Sequence, residues 1–231
     1  MKKKQFIVIG LGTFGFNVAK NLSEKNVEVL AIDKNEARVN EIAPFVTKAV
    51  TADATNEKVL KTLGVSDFDI GIIAIGESLE SSILATLLLK ELGTKTIIVK
   101  SINALHSKIA IKVGADRVVY PELESAKKLV ESLISPNILE EIELSPEYNI
   151  AEIIAPKKFV NKTLGDLNIR ANYKLNVIAL KHKIVYLTDT DETDIKTETN
   201  ISPDANTEIM EGDILVVIGK YEDIKKLQEV V

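Results

Sequence analysis

Six residues near the amino terminus have the types and spacing to hold a phosphate. Gly10-Leu11-Gly12-Thr13-Phe14-Gly15 follows the apolar run Ile7-Val8-Ile9 and precedes a stretch in which Phe14, Val18, Ala19 and Leu22 recur near helical spacing. In a strand–turn–helix setting the three glycines have separate duties. The first permits a tight turn, the second lets the backbone approach a pyrophosphate, and the third lets helix and strand pack closely, while N–H groups at the helix N-terminus face the anion. About 20 residues on, Asp33 closes the next apolar run, where a carboxylate can accept hydrogen bonds from both hydroxyls of a ribose. A glycine turn with no ligand is the plain alternative, and the Asp33 spacing argues against it. The carboxylate also disfavours a 2′-phosphate, an effect softened by Lys34, so the pattern points to adenosine with an unmodified ribose.

Further residues fall on the same edge. Thr51-Ala52-Asp53-Ala54-Thr55 ends a third apolar run. Asp53, with Ala54 beside it, either reaches the adenine side or caps a helix beginning near Asn56. Ala74-Ile75-Gly76 ends a fourth run on a small residue, where the chain can pass close to a ligand. Groups for turnover are scarce. Hydride transfer needs a positioned acid or base, and the chain has two histidines. His106 lies among Leu105, Ile109 and Val113 as a surface or half-buried structural residue, and His182, between Lys181 and Lys183, reads as a turn residue. No HExxH, GxSxG, Walker lysine or paired metal-ligand spacing occurs. The residues leave two readings open, nucleotide binding without catalysis and an NAD-dependent oxidoreductase with a small C-terminal substrate domain.

The elements that must position these residues follow from periodicity. Strands are expected at Gln5–Ile9, Val27–Ile32, Val46–Thr51, Asp69–Ala74, Thr96–Lys100 and Arg117–Tyr120, separated by helices. Continuous apolar runs such as Ile72-Ile73-Ala74-Ile75 suit a parallel sheet covered on both faces. The fold class is therefore α/β, a Rossmann-like doubly wound parallel sheet followed by a small α+β domain. A helix after Pro121 carries Ala126, Leu129, Val130, Leu133 and Ile134, more apolar surface than a linker helix needs. The expected domains are 1–134 and 148–231, with 135–147 as a linker rich in Glu and broken by Pro136 and Pro146. In the second domain strands are expected at Asn149–Ala155, Leu175–Lys181, Ile184–Leu187 and Ile214–Ile218, with helices near 163–169 and 221–229. Residues 188–208, acidic and polar, read as a solvated loop.

Composition agrees. The 231 residues carry 29 basic and 34 acidic side chains, a net charge of −5, and 45% are apolar. That excludes disorder, and the acidic balance offers no general attraction to nucleic acid or anionic lipid. The absence of cysteine removes thiol catalysis, thiolate metal sites and disulfides, which fits the cytoplasm. The start, with Lys2, Lys3 and Lys4 before an apolar stretch, imitates a signal peptide, but glycines at 10, 12 and 15 and Asn17 interrupt it. No run reaches the ~18 apolar residues of a membrane span.

Read together, the glycine loop, Asp33, Asp53-Ala54-Thr55, Lys100, Gly114-Ala115-Asp116-Arg117 and Pro121-Glu122 resemble the RCK (TrkA N-terminal) domain family. Leu164-Gly165-Asp166-Leu167, Asn176-Val177-Ile178-Ala179 and the run Glu211-Gly212-Asp213 through Gly219 resemble its companion TrkA C-terminal domain. One pair of domains in place of two in tandem is similar to the Ktr type. The resemblance implies a cytosolic regulatory subunit at the inner face of the membrane that gates a membrane-embedded potassium channel subunit. It implies a homo-oligomer, a dimer at least and an octameric ring by type, binding ATP or ADP, with NAD(H) as the preference of the related Trk type. Lys100 matches a position near the phosphates. Glu122 matches one that helps hold a divalent cation between subunits, or serves as a helix-dipole partner. Thr13 departs from the Arg usual in Ktr-type loops, which reaches the terminal phosphate of ATP. In some bacteria the C-terminal domain binds cyclic di-AMP, and Arg170, Asn176, Ile178, Ile201 and Pro203 resemble that site. The other reading makes Ile178 a strand core residue, Arg170 a helix C-terminal cation and Asn176 a turn residue.

Overall fold

The computed structural model describes residues 3–187 and 193–228. Residues 1–2, within the signal-like start, residues 188–192 of the expected acidic loop, and residue 229, expected to close the last helix, lie outside the described residues. Backbone contacts divide the chain into two units, Met1–Glu124 and Ser125–Val231.

The first unit alternates strand and helix: β1 (Gln5–Ile9), α1 (Thr13–Ser23), β2 (Glu28–Asp33), α2 (Glu36–Ile42), β3 (Lys48–Thr51), α3 (Glu57–Thr62), β4 (Ile70–Ile73), α4 (Leu79–Glu91), β5 (Thr96–Lys100), α5 (Ala104–Lys112) and β6 (Arg117–Val119). All six strands are parallel, in the order β3-β2-β1-β4-β5-β6. The order reverses between β1 and β4, so the loops at their carboxyl ends diverge and leave a crevice. Alternation along the strands explains how both faces are filled. Ile7, Ile9, Leu30, Ile32, Ile73 and Ile97 join one core with Leu60, Ala85, Leu89 and Ala110, whereas Val8, Val29, Ala31 and Ile72 join another with Ala19, Val39 and Ile42. Each Val, Leu or Ile among them contributes about 1.5–3 kcal/mol by leaving water. The helix α6 (Pro121–Ile134) starts in this unit and continues into the second; none of its residues is buried within the chain.

The second unit holds β7 (Ile138–Glu143), β8 (Tyr148–Ile154), α7 (Leu164–Leu167), α8 (Ile169–Tyr173), β9 (Asn176–Leu187), β10 (Thr193–Ile201), β11 (Ile214–Lys220) and α9 (Tyr221–Gln228). The sheet is antiparallel, ordered β10-β9-β11-β8-β7, and its core gathers Ala151, Ile153, Phe159, Leu180, Leu215, Val217, Ile224 and Leu227.

Residues 135–147, expected as a linker, contain β7, which pairs with β8 (Ile142 opposite Ile150). Of residues 188–208, expected as a loop, Thr193–Ile201 form β10 against β9. Both are edge strands, where a polar sequence costs little because one side faces solvent. The two strands expected at Leu175–Lys181 and Ile184–Leu187 are one strand, β9. His182 therefore lies within a strand, opposite Glu198, and not in a turn; its Nδ1 is 2.9 Å from Oδ1 of the buried Asp213. His106, expected at or near the surface, is fully buried on α5. Its Nδ1 accepts the Ile102 N–H at 3.3 Å.

Candidate functional site

The crevice at the carboxyl edge of the parallel sheet is a cleft of about 910 Å³. Its floor is made by the ends of β1, β2 and β4, and its walls by the loops that follow the strands. How those loops end distinguishes one helix from the rest. Asn35, Asn56, Ser78 and Asn103 cap α2, α3, α4 and α5, each accepting from backbone N–H groups of its own first turn. At α1 the N-cap is Gly12, which has no side chain to do so. The N–H groups of the first turn of this 11-residue helix stay available, at the end where the peptide dipoles leave partial positive charge.

The glycines divide their work as expected from their spacing. Gly10 adopts φ +90°, and a Cβ there would stand 2.9 Å from the backbone of Ala74 and Ile75. A Cβ on Gly15 would stand 1.8 Å from the carbonyl oxygen of Gly10, so only glycine lets α1 lie this close to the loop. Gly12 has nothing within 4 Å of its Cβ position and faces the cleft. Thr13 and Phe14 also line the cleft, whereas the Leu11 side chain is buried in the core beside Val8 and Val39, leaving its backbone to the loop.

Asp33 ends β2 with its carboxylate nearly buried. Oδ2 accepts the Leu11 N–H at 2.6 Å and Oδ1 accepts the Asn35 N–H at 2.8 Å. The residue thereby ties the glycine loop to β2. A carboxylate has about four acceptor sites, so two remain for hydroxyls. Arg38, on α2, places Nη1 3.8 Å from Asp33 and Nη2 2.9 Å from Glu77 Oε1 across the cleft mouth. Asp53 is not the cap of α3, which is Asn56. Instead Oδ1 accepts the Thr55 N–H at 2.8 Å and the Thr55 hydroxyl at 2.6 Å, and Lys34 Nζ is 3.2 Å from Oδ2. The Thr55 hydroxyl, then its backbone N–H and Lys34, hold the Asp53 carboxyl below its usual range.

Of the basic side chains lining the cleft, Lys34 and Arg38 stand at the Asp33 and Asp53 end and Lys100 at the other. Lys100, last residue of β5, lies 2.6 Å by Nζ from Glu122 Oε1 and 5.7 Å from the centre of the Phe14 ring. Lys100 lowers the Glu122 carboxyl, helped by the Glu122 backbone N–H. Ala54, Ala74, Ile75 and Gly76 complete the lining expected from the sequence. Asn17, Arg38, Glu77, Ser78 and Ser81 also line it, beyond the residues that the sequence marks. Asn17 had a signal, standing one helical turn beyond Thr13; Arg38 and Glu77 had none, since only folding brings α2 opposite the β4–α4 loop.

The residues expected at a second site lie in the other unit. Arg170 is exposed on α8, and Asn176 is exposed at the start of β9. Between β9 and β11 the register shifts: Ala179 faces Val216 and Val177 faces Val217, leaving Ile178 as an extra, unpaired residue. The bulge turns Ile178 out of the core. Ile201, 77% exposed, is paired with Ala179, the Ser202 N–H donates to the Ile178 carbonyl at 3.0 Å, and Pro203 follows. Ile178 and Ile201 thus share one exposed corner, and Ile178 is not a core residue. Among the described residues no group of three or more His, Asp or Glu side chains is arranged to hold a metal ion.

Comparison with known proteins agrees with this architecture. The TrkA-N domain model matches residues 6–121 and the TrkA-C domain model residues 150–231. The chain is 44% identical to Ktr system potassium uptake protein C of Bacillus subtilis over 98% of its own length and 97% of that protein. It is 42% identical to Ktr system potassium uptake protein A of the same organism, over 99% and 97% of the two lengths. Among solved structures, the GsuK RCK domain superposes with a TM-score of 0.62 at 18% identity, covering 100% of this chain and 48% of that one. A GsuK channel bound to NAD superposes with a TM-score of 0.60 at 18% identity, covering 99% and 39%. These two establish the fold alone. With both domain models matched in order and full-length relatives above 40% identity, the chain belongs to the RCK family of TrkA-N and TrkA-C domain proteins, among the Ktr system potassium uptake proteins.

Proposed function

We propose that the protein is a cytosolic regulatory subunit that binds an adenine nucleotide in the cleft of its first unit and gates a membrane-embedded potassium channel subunit without turning the nucleotide over. The observation that carries this reading is the polarity of the cleft. Carboxylates at the ends of β2 and β3 meet uncapped N–H groups at the centre, followed by Lys100, an arrangement that suits ribose, then pyrophosphate, then a terminal phosphate. Neither histidine is among the residues that line the cleft: His106 is buried on α5 and His182 is paired with Asp213.

ATP and ADP are the proposed ligands, with NAD(H) accommodated by the same adenosine end. A divalent cation at Glu122 would bind only after displacing Lys100. Oligomerisation follows from α6, whose Leu123, Leu129, Val130, Leu133 and Ile134 are all exposed within one chain; a dimer at least, and a closed octameric ring, would cover them. Cyclic di-AMP at the corner formed by Ile178, Ile201 and Pro203, with Arg170 and Asn176, is a proposal for the second unit. Among the described residues no helix is long and apolar enough to cross a membrane, and the channel in this proposal is a separate membrane subunit. The test is potassium flux in vesicles reconstituted with the membrane subunit. A nucleotide can shift gating only through differential affinity for the open and closed states. Flux that differs among ATP, ADP, NADH and no ligand is expected; equal flux in all four would overturn the proposal.

A further inference from the structure

The Lys100–Glu122 ion pair occupies the place where the charge of a bound nucleotide would end. Neighbouring strands lie ~4.8 Å apart, so the end of β4 stands about 10 Å along the sheet edge from Asp33 on β2, roughly the span from a ribose to the second phosphate of a nucleotide. Lys100 reaches back over that point from β5: its Nζ is 3.8 Å from where a Cβ on Gly76 would stand, and it flanks the Phe14 ring in the first turn of α1. Its side chain is 15% exposed, so the ammonium is partly withdrawn from water, and Glu122 is the anion that partners it. Thr13 brings no charge to this end of the cleft.

We infer that a phosphate beyond the first competes with Glu122 for Lys100, so that binding of a nucleoside diphosphate releases Glu122 while binding of the monophosphate leaves the pair intact. The inference rests on the nucleotide reading of the cleft and adds to it which residue opposes the ligand. A phosphate and the Glu122 carboxylate brought to one ammonium repel each other, and Glu122, whose side chain is 62% exposed, can leave for water. Glu122 acts as a built-in stand-in for the ligand's charge, and because it opens α6, the helix that runs on into the second unit, the exchange ties the phosphate count to that helix.

The test is calorimetric titration of the full chain with AMP and with ADP, in EDTA so that no divalent cation bridges Glu122. The readout is the ratio of the two affinities. In Glu122→Gln the preference for ADP should rise about two- to fivefold, the worth of a partly exposed ion pair. In Lys100→Met the preference should collapse, and adding Glu122→Gln to Lys100→Met should not restore it. An unchanged or lowered ADP preference in Glu122→Gln, or an equal gain in the Lys100→Met background, would overturn the inference while leaving the nucleotide reading intact. Failure of the wild-type chain to bind either nucleotide would overturn both.

Discussion

The glycine loop allows the demands of folding to be separated from those of the ligand. In Gly15→Ala the new methyl group would stand 1.8 Å from the Gly10 carbonyl oxygen and 3.0 Å from the Ala74 Cβ. The first obstacle belongs to the β1–α1 turn and the second to the residue after β4, and the nearer is backbone, so α1 must retreat by about 1 Å or more. Overpacking of this kind costs about 3 kcal/mol or more, against about 1 kcal/mol gained from replacing glycine inside a helix. The net expectation is a loss of about 2 kcal/mol confined to the first unit. Urea unfolding followed by hydrogen exchange of peptides from β1 and β4 would read it as a midpoint about 1 M lower. In Gly12→Ala the methyl meets nothing within 4 Å and the backbone angle is unstrained, so stability should fall by less than about 1 kcal/mol, the cost of alanine at an N-cap. Yet that methyl projects into the cleft where the anion would approach, and ADP affinity should drop at least about tenfold. A Gly15→Ala protein as stable as wild type, or a Gly12→Ala protein that binds ADP like wild type, would refute the division of roles.

Burial holds the His106 imidazole below its ordinary value, so the unfolded state takes up the proton first; stability of the first unit should decline as pH falls below about 6.5, and His106→Asn should flatten that decline. A pH-independent wild type between 7 and 5.5, read by the same exchange assay, would contradict this. Replacing Leu129 and Leu133 on α6 by Glu should leave the chain folded, as both are exposed within it, but shift light scattering from an oligomer to 25.4 kDa monomers; an unchanged mass would show that α6 is not the contact. A Cβ on Gly165 would stand 2.9 Å from the Ala205 carbonyl oxygen, so Gly165→Val should destabilise the second unit by about 1–3 kcal/mol while ADP affinity persists; loss of ADP binding would mean the units do not fold independently.

The first unit was legible because its strands are buried on both faces and read as continuous apolar runs, and because each duty of the loop requires a glycine at a fixed offset. Asp33 and Lys100 could be placed at strand ends for the same reason. The misreadings lie where sequence carries two meanings. β7 and β10 are edge strands, and their Glu, Thr and Asn residues look like loop because solvent satisfies one side of them. His182 between two lysines looks like a turn, yet alternation on a strand also puts polar residues at the surface, and its partner Asp213 is 31 positions away. The ion pairs of Arg38 with Glu77 and of Lys100 with Glu122 join elements far apart in the sequence, which no local pattern encodes.

The central claim is that the cleft at the carboxyl edge of the parallel sheet binds an adenine nucleotide through Asp33. Calorimetric titration of ADP into the wild-type chain and into Asp33→Ala measures this directly. Removing acceptors of two ribose hydroxyls, with charge-assisted bonds worth about 1.5–3 kcal/mol each, predicts saturable binding to wild type and a loss of at least about tenfold in the variant. Equal ADP affinity in the two proteins, or no binding to wild type, would contradict the account.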